Sequence, residues 1–99
     1  MTQIRILREA DEELRAAVQH YEAQRLGLGR ALIHEVRRAY RRILERPLVS
    51  RLERGDVRVR TIGRFPYRIY YRVRDEEIVI IAIAHRRRKQ GFWRGRLAT

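Results

Sequence analysis

Seven consecutive apolar residues, Ile78-Val79-Ile80-Ile81-Ala82-Ile83-Ala84, constrain this chain more than any other feature. The run is far shorter than the ~20 residues of a membrane span. The charged Asp75-Glu76-Glu77 precedes it and His85-Arg86-Arg87-Arg88 follows, so it reads as a strand. A strand sends alternate side chains to opposite faces. With no polar position, the strand is expected at the centre of a sheet, covered on both faces.

The rest of the chain supplies the cover. Gln3 to Leu7 reads as a short strand, with Ile4 and Ile6 alternating with their neighbours. Asp11, Glu12 and Glu13 suit a helix first turn, where carboxylates meet the positive end of the dipole. Leu14, Ala17, Val18 and Tyr21 then form one helical stripe. Gly27 and Gly29 punctuate. A second helix carries Leu32, Ile33, Val36, Tyr40, Ile43 and Leu44 on one side. Arg37, Arg38, Arg41 and Arg42 lie on its wet side, and Pro47 ends it. Val57 to Thr61 alternates with period two. Gly63-Arg64-Phe65-Pro66 turns the chain, and Tyr67 to Arg74 alternates again apart from Tyr70. The predicted order is β-α-α-β-β-β, a two-layer α+β domain with a helical hairpin packed on the sheet. At 99 residues the length suits one domain over 1–99.

Charge narrows the partners. The formal net charge is +12, and 23 of the 24 basic residues are Arg. Residues 1–46 carry a net of +3 and residues 47–99 a net of +9, which places the functional surface in the second half. Such an excess draws polyanions: nucleic acid, an acidic protein or an anionic membrane face. No Cys is present, so disulfides, thiol nucleophiles and Cys-based zinc sites are excluded. Three scattered His and no paired strand carboxylates give no metal-ligand spacing, so no metal or cofactor is expected. The first residues lack a signal-peptide apolar region, and a cytoplasmic setting is expected.

Strand parity places the charge. If Asp75-Glu76 is a two-residue loop, Arg74 faces Glu77, Arg72 faces Val79, Tyr70 faces Ile81 and Arg68 faces Ile83. His85 shares that parity. Arg58 and Arg60 alternate with Val57 and Val59 and are expected to join the same face. The opposite face, with Ala82 and Ala84, is expected to seat the helices. One sheet face would then carry Arg58, Arg60, Arg68, Arg72, Tyr70 and His85 beside a strip of Val79, Ile81 and Ile83. Arg forks on adjacent strands suit phosphate. The apolar strip suits an amphipathic acidic chain.

The segment Val57 to Trp93, with Phe65-Pro66-Tyr67-Arg68-Ile69-Tyr70-Tyr71-Arg72-Val73 and Ile78 to His85-Arg86-Arg87-Arg88, resembles the RelE/ParE toxins of bacterial type II toxin–antitoxin systems. The resemblance implies a small basic toxin on a curved, mainly antiparallel sheet, bound by a cognate acidic antitoxin as a hetero-oligomer. Val79, Ile81 and Ile83 would then be antitoxin-binding. RelE-like members cleave mRNA on the ribosome, and ParE-like members inhibit DNA gyrase. In the ribonuclease branch, paired basic residues on the first meander strand would correspond to Arg58 and Arg60. The phosphate-binding Arg would correspond to Arg68, and a further one to Arg87. A C-terminal catalytic Tyr of that branch falls near Trp93, whose indole cannot trade a proton as a phenol can but can stack on a base.

Metal-independent RNA cleavage needs an acid, a base and cations for the phosphorane charge. Arg68 and Arg87 supply the cations, and His85 is the one imidazole in the basic half. The alternative reading of His85 is a strand-end His bonded to backbone. Arg72 and Arg86 add phosphate contacts. Phe92-Trp93 either stacks on bases or pins the tail to the core. His20 and His34 read as surface residues. The ordering expected from sequence puts ribosome-dependent mRNA cleavage slightly ahead of gyrase inhibition. A non-toxic nucleic-acid- or protein-binding module of the same fold stands as a third reading.

Overall fold

The computed structural model describes residues 2–98. In chain order the elements are β1 (Gln3–Ile6), α1 (Arg8–Gln24), α2 (Leu28–Glu45), β2 (Leu52–Arg54), β3 (Val57–Thr61), β4 (Tyr67–Arg74) and β5 (Glu77–His85). A 3₁₀ turn at Arg94–Ala98 follows. The five strands form one sheet in the order β1-β5-β4-β3-β2. β1 runs parallel to β5, and the other pairs are antiparallel. The α+β class and the helical hairpin are as expected. The short edge strand β2 is an addition, because three residues with one apolar side chain carry no periodic signal.

Two features set the helical hairpin. Glu9 and Asp11 lie in the first turn of α1, as the dipole favours. The connection to α2 is built around Glu22. Its carboxylate accepts the Gly27 N–H at 3.0 and 3.1 Å and the Gly29 N–H at 2.9 Å. These are N–H groups that a helix start leaves without intrahelical partners. Gly27 has φ 92°, a left-handed conformation that suits glycine. Gly29 is needed for a second reason: a Cβ there would lie 2.9 Å from the Val18 carbonyl oxygen of α1.

β5 is covered as its composition demands. β1 and β4 flank it, and Ile78 to Ala84 are all buried. The register departs from simple alternation at one point. Arg74 pairs with Glu77 and Arg72 with Val79 as predicted, but Tyr71 pairs with Ile80 and Tyr70 with Ala82. Ile81 is therefore the extra residue of a β-bulge, and from there on the parity of β5 is inverted. Arg68 faces Ala84, not Ile83.

The bulge sorts the run into two cores. Ile78, Ile80 and Ile83 join Ile69, Tyr71 and the helix residues Leu32, Val36 and Ile43. Val79, Ile81, Ala82 and Ala84 join Val57, Val59, Tyr70 and Trp93 on the other face. The alanines thus face away from the helices, opposite to expectation. The second core is closed by the C-terminal tail, with Phe92 and Leu97 packed against it.

Candidate functional site

The sheet face beneath the tail is built from β3, β4 and β5. Val59 pairs with Tyr70, so Val57 and Val59 share its side, and Arg58 and Arg60 project to the helix side. This corrects the single arginine face expected from sequence. Parity there assumed one apolar core, and the tail creates a second that claims the valines. Arg58 donates to the Leu48 and Ser50 carbonyls at 3.0 and 2.7 Å, clamping the loop between α2 and β2. Arg60 lines a cleft against α2 instead.

Arg68 and Arg72 do lie on the tail side. Arg72 donates through Nε and a terminal nitrogen to Asp56 at 3.3 and 3.0 Å, with its side chain only 14% exposed. Arg68 stands beside the Tyr70 phenol, and its buried Nε has no hydrogen-bond partner. Burial pushes the Tyr70 hydroxyl up from its ordinary pKa, and the hydrogen bond from Arg68 opposes that only in part. A buried phenol with a raised pKa stays protonated at neutral pH and is a poor proton acceptor.

Trp93 is 1% exposed. Its Nε1–H donates to Glu53 at 3.1 Å, and its ring lies 6.3 Å from that of Tyr70. Phe92 meets Tyr70 edge-on at 5.6 Å and carries the Arg88 guanidinium 4.2 Å from its ring centre. The aromatic pair therefore pins the tail, and the Trp93 indole is not presented to a base. Burying such side chains contributes about 1.5–3 kcal/mol each.

His85 ends β5 on the helix side, with the parity of Ile83. Its ring packs edge-on to Tyr67 at 5.6 Å, and its Nδ1 accepts the Arg87 N–H at 3.1 Å. It lines a groove with Glu13, His20 and Arg88. Arg68 and His85 are thus on opposite sides of the sheet. The Arg86 and Arg87 side chains are exposed just beyond the strand. His20 and His34 are exposed, as expected.

The expected apolar strip is not a surface. Val79 is 6% exposed, and Ile81 and Ile83 are 1%. The tail covers the first two, and the bulge turns the third to the helices. Of the exposed large apolar residues, Ile6 and Leu26 stand singly, and four gather between 44 and 52: Leu44, Leu48, Val49 and Leu52, the last at 53% on the edge strand β2. Helical spacing puts Leu44 on the core stripe and gives no signal for the other three, because the exposed end of a helix and a three-residue strand carry no clear period.

The arrangement holds no grouping of three or more metal-ligating side chains among the described residues. No helix is long and apolar enough to cross a membrane. Comparison with known proteins adds a family. The model of the ParE toxin of type II toxin–antitoxin systems matches residues 4–90. No curated protein matches the chain. Among solved structures, a chain of the chromosomal ParDE toxin–antitoxin system from P. aeruginosa superposes with a TM-score of 0.75 at 22% identity. The match covers 86% of this chain and 96% of that one, a likeness of fold.

Proposed function

We infer that this chain, which belongs to the ParE toxin family of type II toxin–antitoxin systems, is a toxin masked by an acidic antitoxin and directed at DNA gyrase rather than at mRNA. This reverses the ordering expected from sequence. The observation that carries it is the separation of the ribonuclease candidates. Arg68 lies on the tail side of the sheet and His85 on the helix side, with Trp93 buried between strands and tail. General acid–base chemistry needs its groups within hydrogen-bond reach of one phosphate, about 2.6–3.2 Å. Residues on opposite faces of one sheet do not meet that condition. A toxin that acts by holding a protein–DNA complex needs only a shaped, basic surface, which the exposed Arg86, Arg87 and Arg94 help to provide.

The antitoxin-binding surface proposed here replaces the covered strip. Leu48, Val49 and Leu52 lie beside Arg46, Arg51 and Arg54 at the open edge of the sheet. An edge strand offers unpaired backbone groups, and exposed leucines beside cations suit an acidic amphipathic segment.

The test is expression in cells, scoring both mRNA 5′ ends and covalent gyrase–DNA complexes. Accumulating cleavage complexes with intact mRNA are expected. Ribosome-phased cuts that disappear in Arg68→Ala would overturn the reading. In the same cells, Leu48→Asp with Leu52→Asp should leave toxicity in place while abolishing rescue by a co-expressed cognate antitoxin. Full rescue would sink the proposed docking edge.

A further inference from the structure

A cleft of about 380 Å³ opens between α2 and the end of β3, on the side of the sheet away from the tail. One face of α2 supplies Glu35, Arg38 and Arg42, spaced three and four apart so that they stand above one another. β3 and the turn after it supply Arg60, Gly63 and Arg64. Four guanidinium groups therefore line one concavity that holds a single carboxylate.

That carboxylate does not neutralise them. Glu35 lies 3.9 Å from Arg38, and one of its oxygens would stand 3.3 Å from a Cβ on Gly63. Among the described residues, Arg42, Arg60 and Arg64 pair with no carboxylate. Like charges gathered in a concave site focus a positive potential and favour an anionic occupant. Arg forks match phosphate oxygens, and two elements at an angle can grip a phosphate from two sides.

We propose that this cleft is a binding site for the phosphodiester backbone of nucleic acid. The chemistry favours it over an acidic peptide. The one apolar side chain lining the cleft is Ala39, which is itself buried. A peptide segment gains its affinity from apolar anchors, whereas a backbone phosphate needs donors and charge. Leu48 and Leu52, the exposed leucines offered above for a peptide, lie just before and within β2, and neither lines this cleft. The site rests on the cleft geometry and not on the choice of gyrase as target. It was not visible in sequence, because Arg38 and Arg42 look like the wet side of a helix until β3 is placed beside them.

The full chain is titrated into fluorescent duplex DNA of about 20 base pairs, and separately into single-stranded RNA of the same length, across a salt series. Arg42→Gln with Arg60→Gln is compared with Arg25→Gln and Arg30→Gln. The second pair removes equal charge from exposed positions at the end of α1 and in the first turn of α2. Each phosphate contact contributes about 0.9 to the log–log salt slope on duplex DNA, so the cleft variant should lose about 1.8. Its affinity deficit should shrink roughly tenfold between about 50 and 200 mM salt. The control should keep the wild-type slope. Cleft dependence with either nucleic acid supports the site, and the two arms tell which backbone is held. Equal slope losses in both variants would mean diffuse attraction and overturn it. So would a loss confined to binding of a poly-glutamate peptide. Arg42→Lys with Arg60→Lys keeps the charge and should restore slope and most of the affinity. Failure to restore them would mark the Gln effect as a fold defect and overturn the assignment.

Discussion

At the scale of single residues, Glu22 shows how one side chain can organise a fold. Its carboxylate holds two backbone N–H groups at the start of α2, and these bonds lower its pKa below the ordinary carboxylate value. The sign of the pH effect follows. A group whose pKa is depressed on folding stabilises fully above its unfolded value, and that contribution is lost as the pH falls through the folded one. Glu22→Gln should therefore lower the melting temperature at neutral pH, with the difference closing in the acid range. A difference that stays constant with pH would show that the carboxylate charge is not the cause. Little of this could be read from the chain. Glu22 sits at the end of a helix among polar neighbours, and only the turn through Gly27 brings the backbone donors to it. Trp93 is the opposite case. As the one tryptophan next to a phenylalanine it invites attention in any sequence, yet two roles fitted it equally, and the Glu53 acceptor 40 residues away decides between them.

At the scale of elements, the bulge at Ile81 and the tail act together. β1 ends at Ile6, whose partner is Ile80, so the edge of β5 beyond that point has no neighbouring strand. Glu13 of α1 and Arg96 of the tail occupy it. The Ile83 N–H donates to Glu13 at 3.0 Å, and Arg96 donates to the Ile81 carbonyl at 3.1 Å. Arg96 also forks onto both Glu13 oxygens at 2.9 and 3.0 Å, a charge-assisted pair that satisfies an otherwise bare edge. Arg96→Ala should then speed amide exchange at Ile83 and through residues 92–98, leaving Arg72 and Val79 protected. Unchanged exchange in the tail would mean that Phe92 and Trp93 hold it without the ion pair. Strand existence and the Asp75-Glu76 turn were legible from alternation. The bulge was not, because every residue from Ile78 to Ala84 is apolar and a slip of one position leaves no polar residue misplaced.

At the scale of the whole molecule, the net charge of +12 opposes compactness. Several arginines are tied to carboxylates or carbonyls, as Arg58, Arg72 and Arg96 are, but three in the α2 cleft and those of the 86–88 run add to a positive exterior. Raising salt from about 0.1 to 1 M shortens the screening length from about 10 to 3 Å. The melting temperature should rise with salt by several degrees, since ~1 kcal/mol corresponds to about 4–8 °C in a domain of this size. A fall would show that surface ion pairs outweigh the general repulsion. By itself the chain determined the α+β class, the helical hairpin, the β3–β5 meander, the family resemblance and the positive net charge. Each of these depends on local periodicity, turn chemistry or summed charge, which neighbours in sequence carry. Tertiary structure alone decided which face each arginine serves, that the tail closes a second core over Val79 and Ile81, and that Arg68 and His85 stand apart. Side-chain direction in a strand reverses with a single inserted residue, and whether an apolar face is surface or core depends on what the far end of the chain lays over it.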